Sequence, residues 1–248
     1  MNREDNKPFT LRVGEQLRTN KFVQIAELVL VFLVALIFIQ VFGKLRSDNL
    51  IVNQAIIWVA NIIMLLMVWA GLRLRGETWQ DFGLGFKKVS WKEAGKVFLL
   101  SLLVFVLALV GFVVGSIIMA NITGIPQSAD MSSYDYLKDN IGLLLLSLAG
   151  VYIVSSFGEE VIYRAFLINR ISAIGGHTKA AGIIAVILSA VVFGLAHYSW
   201  GPMGIVQTGF MGLALGWCYI FFNKRLWILI LAHAYMDTIL MLQLYFNS

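Results

Sequence analysis

Seven long apolar runs alternate with short polar segments along the chain: about Phe22–Gly43, Leu50–Leu72, Val97–Ala120, Ile141–Arg170, Lys179–His197, Gly204–Phe222 and Leu226–Phe246. Most hold the roughly 20 residues that a helix needs to cross a hydrocarbon core of about 30 Å. The fourth is longer, so it must tilt or protrude. Pro8, Pro126 and Pro202 all fall between runs, as helices without prolines require. The first 21 residues lack the short apolar stretch of a secretory signal, and the run after them reads as a retained first helix.

Composition turns these runs into a class. Apolar residues make up 59% of the chain, charged residues 13%, and the mean hydropathy is +0.82. A single soluble core of this size cannot hide so much apolar surface. The expected fold is therefore all-α: a polytopic transmembrane bundle of about seven helices. It divides into an N-terminal segment (1–21), N-terminal membrane helices and loops (22–140) and a late helical region (141–248). Cys218 is the only cysteine, which excludes a disulfide framework and a thiolate zinc site.

The net charge of +5 points to membrane orientation rather than nucleic acid, because the charges lie between the runs. With the N-terminus inside, all but three of the 19 Lys and Arg residues fall on inner segments; the exceptions are Lys44, Arg46 and Lys138. That bias places Met1 in the cytoplasm and Ser248 outside.

Ionisable residues inside apolar runs cost at least about 2.5–3.5 kcal/mol each at a helix centre, so each needs a reason. Glu27 lies early in run one and is expected to snorkel to the inner interface. The others are late: Glu159, Glu160 and Arg164 in run four, His197 closing run five, and His233 with Asp237 in run seven. Glu160 and Arg164 stand one helical turn apart, acid first, the better order for a pair. That leaves Glu159 about 100° round the helix, facing something else. Phe193 and His197 share a face, as do His233 and Asp237. Each motif has a structural reading: a Glu–Arg network, an interfacial histidine, an Asp fixing a His tautomer. His177 reads as a solvated turn residue, and Asn61 and Gln207 as helix–helix hydrogen-bonding residues.

Depth favours a common site. Counting about 1.5 Å per residue from the inner turns, Glu159, His197, His233 and Asp237 reach a similar layer. A carboxylate with two imidazoles suits hydrolysis, in which a base takes a proton from water and donors receive the oxyanion.

Glu159-Glu160-x-x-x-Arg164, Phe193-x-x-x-His197 and His233-x-x-x-Asp237, in this order, resemble the CPBP intramembrane protease family. That family comprises type II CAAX prenyl endopeptidases (the Ras-converting enzyme group) and bacterial bacteriocin-processing or self-immunity proteins. The likeness covers about Ile141–Phe246. Trp79-Gln-Asp-Phe-Gly-Leu84, followed by Trp91, resembles a loop that precedes this region in bacterial members. The resemblance implies that Glu159 activates water with His197 as its partner, and that His233 with position 237 stabilises the oxyanion. Glu160 and Arg164, with Phe193, would give structural support. Asp237 stands where the prenyl endopeptidases carry Asn. It would serve if protonated, if it orients His233, or if the site holds a metal. Glu159, His197 and His233 could bind zinc, but no His-Glu-x-x-His helix is present, and a metal-free mechanism with no cofactor is favoured.

The expected function is thus an intramembrane endopeptidase acting near the cytoplasmic face on membrane-delivered peptides or proteins. Its partners would be that substrate and the bilayer, with no nucleic acid. The short loops suggest a multi-pass protein of a prokaryotic plasma membrane. Two other classes fit less well: a non-catalytic immunity or scaffold protein, and a proton-coupled transporter. The transporter would need a repeat or helices broken in mid-membrane, and only Gly201-Pro202-Met203-Gly204 suggests a break.

Overall fold

A computed structural model describes residues 8–43, 49–85, 90–124 and 131–246. Among these residues the chain is helical, with no strands, and seven helices are long and apolar enough to cross a membrane. The polytopic bundle expected from the apolar runs is the fold. Arg3, Lys44, Arg46 and Pro126 lie outside the described residues.

An amphipathic helix that the apolar runs did not announce comes first, α1 (Phe9–Thr19), resting on the bundle through Gly14 and Leu17. The spans follow as α2 (Lys21–Gly43), α3 (Leu50–Arg75), α4 (Trp91–Thr123), α5 (Ile141–Ile174), α6 (Lys179–Ala196), α7 (Gly201–Phe221) and α8 (Leu226–Phe246). Polar residues set several starts. The side chains of Asn49, Ser90, Asn140 and Thr178 each accept a backbone N–H of the first turn, satisfying donors that the helix itself cannot. Gly76, at φ 72°, closes α3 in the left-handed conformation. Pro202 lies inside the first turn of α7 rather than between helices, where its missing N–H costs nothing. The suspected break at Gly201–Gly204 is therefore the first turn of α7.

Between its α-helical ends, α5 is wound as a π-helix over Tyr152–Ile168. Neighbouring side chains take up carbonyls of this stretch. Ser189 Oγ donates to Tyr163 O at 2.7 Å, and Asn169 Nδ2 to Ala165 O at 2.6 Å. This segment is also the most enclosed part of the chain, from Glu160 to Ile168 without a gap.

Packing relies on small residues where helices touch. A Cβ on Gly111 or Gly115 of α4 would fall 2.7 or 2.9 Å from the Phe210 or Val206 carbonyl of α7. One on Gly194 of α6 would fall 2.6 Å from Ile205 O. Side-chain volume cannot enter these seams, so dispersion contact between backbones replaces it, as is usual between helices in lipid. Outward positions are apolar too: Leu36, Leu99, Val106, Ile117, Leu145 and Ile153 are exposed in the isolated chain, the surface a bilayer would cover.

At the end carrying α1 and the 174–178 turn, charges pair across elements. Glu27 is partly buried in a bidentate pair with Arg75. Arg170 pairs likewise with Glu77, and Arg225 with Glu93. Asn61 donates only to Ile57 O of its own helix, whereas Gln207 crosses from α7 to Ser116 Oγ of α4 at 2.8 Å. The Trp79–Leu84 segment docks under the α7–α8 turn. Gly83, at φ 80°, packs so closely on Lys224 that a Cβ would lie 1.6 Å from its carbonyl. There the Thr78 N–H donates to Asp81 and holds its carboxyl below the usual range.

Candidate active site

Three helices bring the late ionisable residues together. Glu159, Glu160 and Arg164 come from the π-wound part of α5, His233 and Asp237 from α8, and Phe193 with His197 from the end of α6. His233 is central and 3% exposed. Its Nδ1 lies 2.8 Å from Glu160 Oε1; its Nε2 lies 3.8 Å from both Glu159 Oε2 and Asp237 Oδ1. The carboxylate that fixes the His233 tautomer is therefore Glu160, not Asp237. The i, i+4 spacing of His233 and Asp237 suggested the wrong partner, because it reports only neighbours on one helix.

Glu160 also faces Arg164, Oε1 to Nη1 at 2.9 Å, with both side chains enclosed. This contact is a close charge pair rather than an aligned hydrogen bond, since neither Nη atom of Arg164 has a hydrogen-bond partner among the described residues. Arg164 is held instead by Phe193, whose ring centroid lies 4.2 Å from Cζ, a cation–π contact in a dry setting. The same ring meets Tyr163 at 5.0 Å, His197 at 4.8 Å and His233 at 6.4 Å. Phe193 thus joins all three motifs. Gly212 makes room for it, since a Cβ there would sit 2.8 Å from Phe193 Cδ1.

His197 caps α6, with Nδ1 2.8 Å from Phe193 O. Because a carbonyl only accepts, Nδ1 carries the proton and Nε2 remains the acceptor nitrogen in the neutral ring. His197 reaches the cluster through Phe193; no hydrogen bond joins it to Glu159 among the described residues. Trp200 stacks edgewise on His197 at 4.7 Å.

Two carboxylate oxygens stand apart, and Glu160 Oε2 is one of them, buried without a hydrogen-bond partner among the described residues. Glu159 Oε2 is buried and has no hydrogen-bond partner among the described residues, although it points to within 3.8 Å of His233 Nε2. An acceptor left unengaged in an enclosed site carries the full cost of desolvation, and such exceptions ask for a function. Asp237 is the opposite case: Ser156 Oγ donates to its Oδ2 at 2.6 Å, and Ser155 Oγ lies 3.5 Å from Oδ1.

Sequence reasoning missed Ser155, Ser156, Tyr134 and Trp200. The serines look like ordinary small residues in an apolar run. Tyr134 arrives from the 3-10 turn Ser132–Leu137, packed against Leu144, Val151 and Met241. Burial pushes its hydroxyl above the ordinary range; the nearby Tyr136, Asp237 and Glu159 add to this, and a hydrogen bond with Trp200 opposes it. No three or more His, Cys, Asp or Glu side chains are arranged to hold a metal ion among the described residues.

The bundle and its cluster define a multi-pass membrane protein with a buried carboxylate–imidazole cluster among its helices. Residues 141–239 match the family model described as type II CAAX prenyl endopeptidase Rce1-like, a likeness that agrees with the one carried by the three motifs. No curated protein and no solved structure gives a match to the chain.

Proposed function

We propose that the protein is an intramembrane endopeptidase that hydrolyses peptide bonds of membrane-delivered peptides or proteins, with Glu159 activating water. The observation that carries this reading is the unengaged Glu159 Oε2 beside His233 Nε2 in the region that matches the Rce1-like model. A general base needs a free lone pair within reach of its proton donor, and Glu159 Oε2 has one beside the imidazole. Glu159 takes a proton from water as the water oxygen attacks the carbonyl carbon. The oxyanion is received by His233 Nε2–H, whose ring is aimed by Glu160 on the opposite nitrogen. The proton on Glu159 then passes to the leaving amine as the C–N bond breaks. His197 Nε2 stands as a second polar contact for the water.

The test is hydrolysis of a membrane-anchored peptide by purified protein in H₂¹⁸O. One ¹⁸O in the new carboxyl terminus, with a matching amine fragment, is the expected product. No cleavage of any anchored peptide in a broad library would leave the immunity or scaffold reading standing instead.

The Lys and Arg bias supports a cytoplasmic N-terminus in a prokaryotic plasma membrane. In intact cells, an impermeant thiol reagent should modify Asp135→Cys and spare His177→Cys. Cys218 is buried and should add little background. The reverse pattern would invert the orientation.

A further inference from the structure

Two hydroxyls outside every motif touch the site. Ser155 and Ser156 lie on α5 about one turn before the two glutamates. Ser156 is buried and gives its proton to Asp237 Oδ2 at 2.6 Å. Ser155 is partly exposed, and its Oγ sits 3.5 Å from Asp237 Oδ1 and 3.3 Å from His233 Nε2.

Satisfiability decides what position 237 can be. Its side chain faces two serine hydroxyls and, beyond Ser155, the Nε2 edge of His233. An imidazole whose Nδ1–H is already given to Glu160 presents Nε2 as a donor whenever the ring is charged. Ser156, Ser155 and a charged His233 Nε2 all face this side chain, with the Ser155 hydroxyl shared between Asp237 and Glu159. A carboxylate accepts at both oxygens; an asparagine would turn its NH₂ toward one of these donors. The serine facing that NH₂ would accept from it, and its own proton would lose the acceptor that the carboxylate provides.

We propose that Ser155 and Ser156 make position 237 a pure hydrogen-bond acceptor, so that Asp237 and both serines are positioning residues that align His233 Nε2. The oxyanion is then received by His233, and position 237 has no donor role. This rests on the hydrolase reading for its kinetic consequences but not for its structural ones.

The experiment combines kinetics with ring ¹⁵N signals of histidine-labelled protein, which holds three histidines. Asp237→Asn and Ser155→Ala should each lower kcat about 10–100-fold with little change in KM, the usual range for groups that orient a reacting residue. Ser155→Thr, which keeps the hydroxyl, should recover most of the loss. The double variant Ser156→Ala/Asp237→Asn should be no worse than Asp237→Asn alone, because the partners act as one unit. Ser155→Ala and Asp237→Asn should shift the His233 nitrogens and leave those of His177 in place. Wild-type kcat in Asp237→Asn, with unshifted His233 signals, would overturn the proposal while leaving Glu159 untouched. If the wild type cleaves nothing, the hydrolase reading fails, and the nitrogen shifts alone judge the hydroxyl proposal.

Discussion

Glu159→Gln lowers the rate of peptide hydrolysis by about 10²–10⁴-fold, the share that a positioned general base contributes, and leaves the bundle folded. The substitution keeps the side chain's size and replaces a carboxylate whose Oε2 has no hydrogen-bond partner among the described residues. It also removes a charge whose Oε2 is buried without a partner, so thermal unfolding in detergent should come at the wild-type temperature or above. Rate and melting curve must be measured on the same preparation. Near wild-type turnover in Glu159→Gln would show that another group activates the water, with Asp237 the remaining carboxylate beside His233 Nε2.

Glu160→Gln has the opposite character: a large loss of stability, with activity falling as a second consequence. Removing the charge leaves Arg164 enclosed with Phe193 as its main support, and breaking a buried pair on one side costs about 3–5 kcal/mol. The sequence alone assigned Glu160 a purely supporting part. Its 2.8 Å contact with His233 Nδ1 means that aim is lost together with stability. Glu160→Gln/Arg164→Met, which removes both charges and keeps volume, should melt well above Glu160→Gln while staying poorly active. A melting temperature for Glu160→Gln equal to the wild type would count against the pair as a stabilising unit.

The bundle was legible because hydrocarbon thickness is a blunt constraint that seven runs of about 20 apolar residues meet without help from tertiary context. Glu159, Glu160, Arg164, His197, His233 and Asp237 stood out because burying such groups is expensive. Their convergence could be anticipated from depth along each helix. Partner choice could not. Glu27 meets Arg75, 48 residues later, and Glu160 meets His233, 73 residues later; helical spacing carries no information at those separations. The π winding of Tyr152–Ile168 left no trace, since a run apolar on nearly every side has no stripe whose period could reveal it. Ser155 and Ser156 were passed over because a small hydroxyl residue in a membrane helix is ordinary until its neighbour is known.

The charged stretch of α5 has a consequence for how the protein is made. Ribosomes deliver Glu159, Glu160 and Arg164 to the bilayer before the ring of Phe193 or the imidazole of His233 exists, because α6 and α8 are still to be synthesised. At that stage the Glu160–Arg164 pairing and the Ser155 hydroxyl beside Glu159 are what α5 itself can set against the cost of inserting the segment. During biogenesis α5 is thus a poorly anchored guest, held at the translocon or against α3 until its later partners arrive. The buried cluster is completed last, with the entry of the final helix, so a chain truncated before α8 lacks more than a histidine: it lacks the reason for α5 to stay in the membrane.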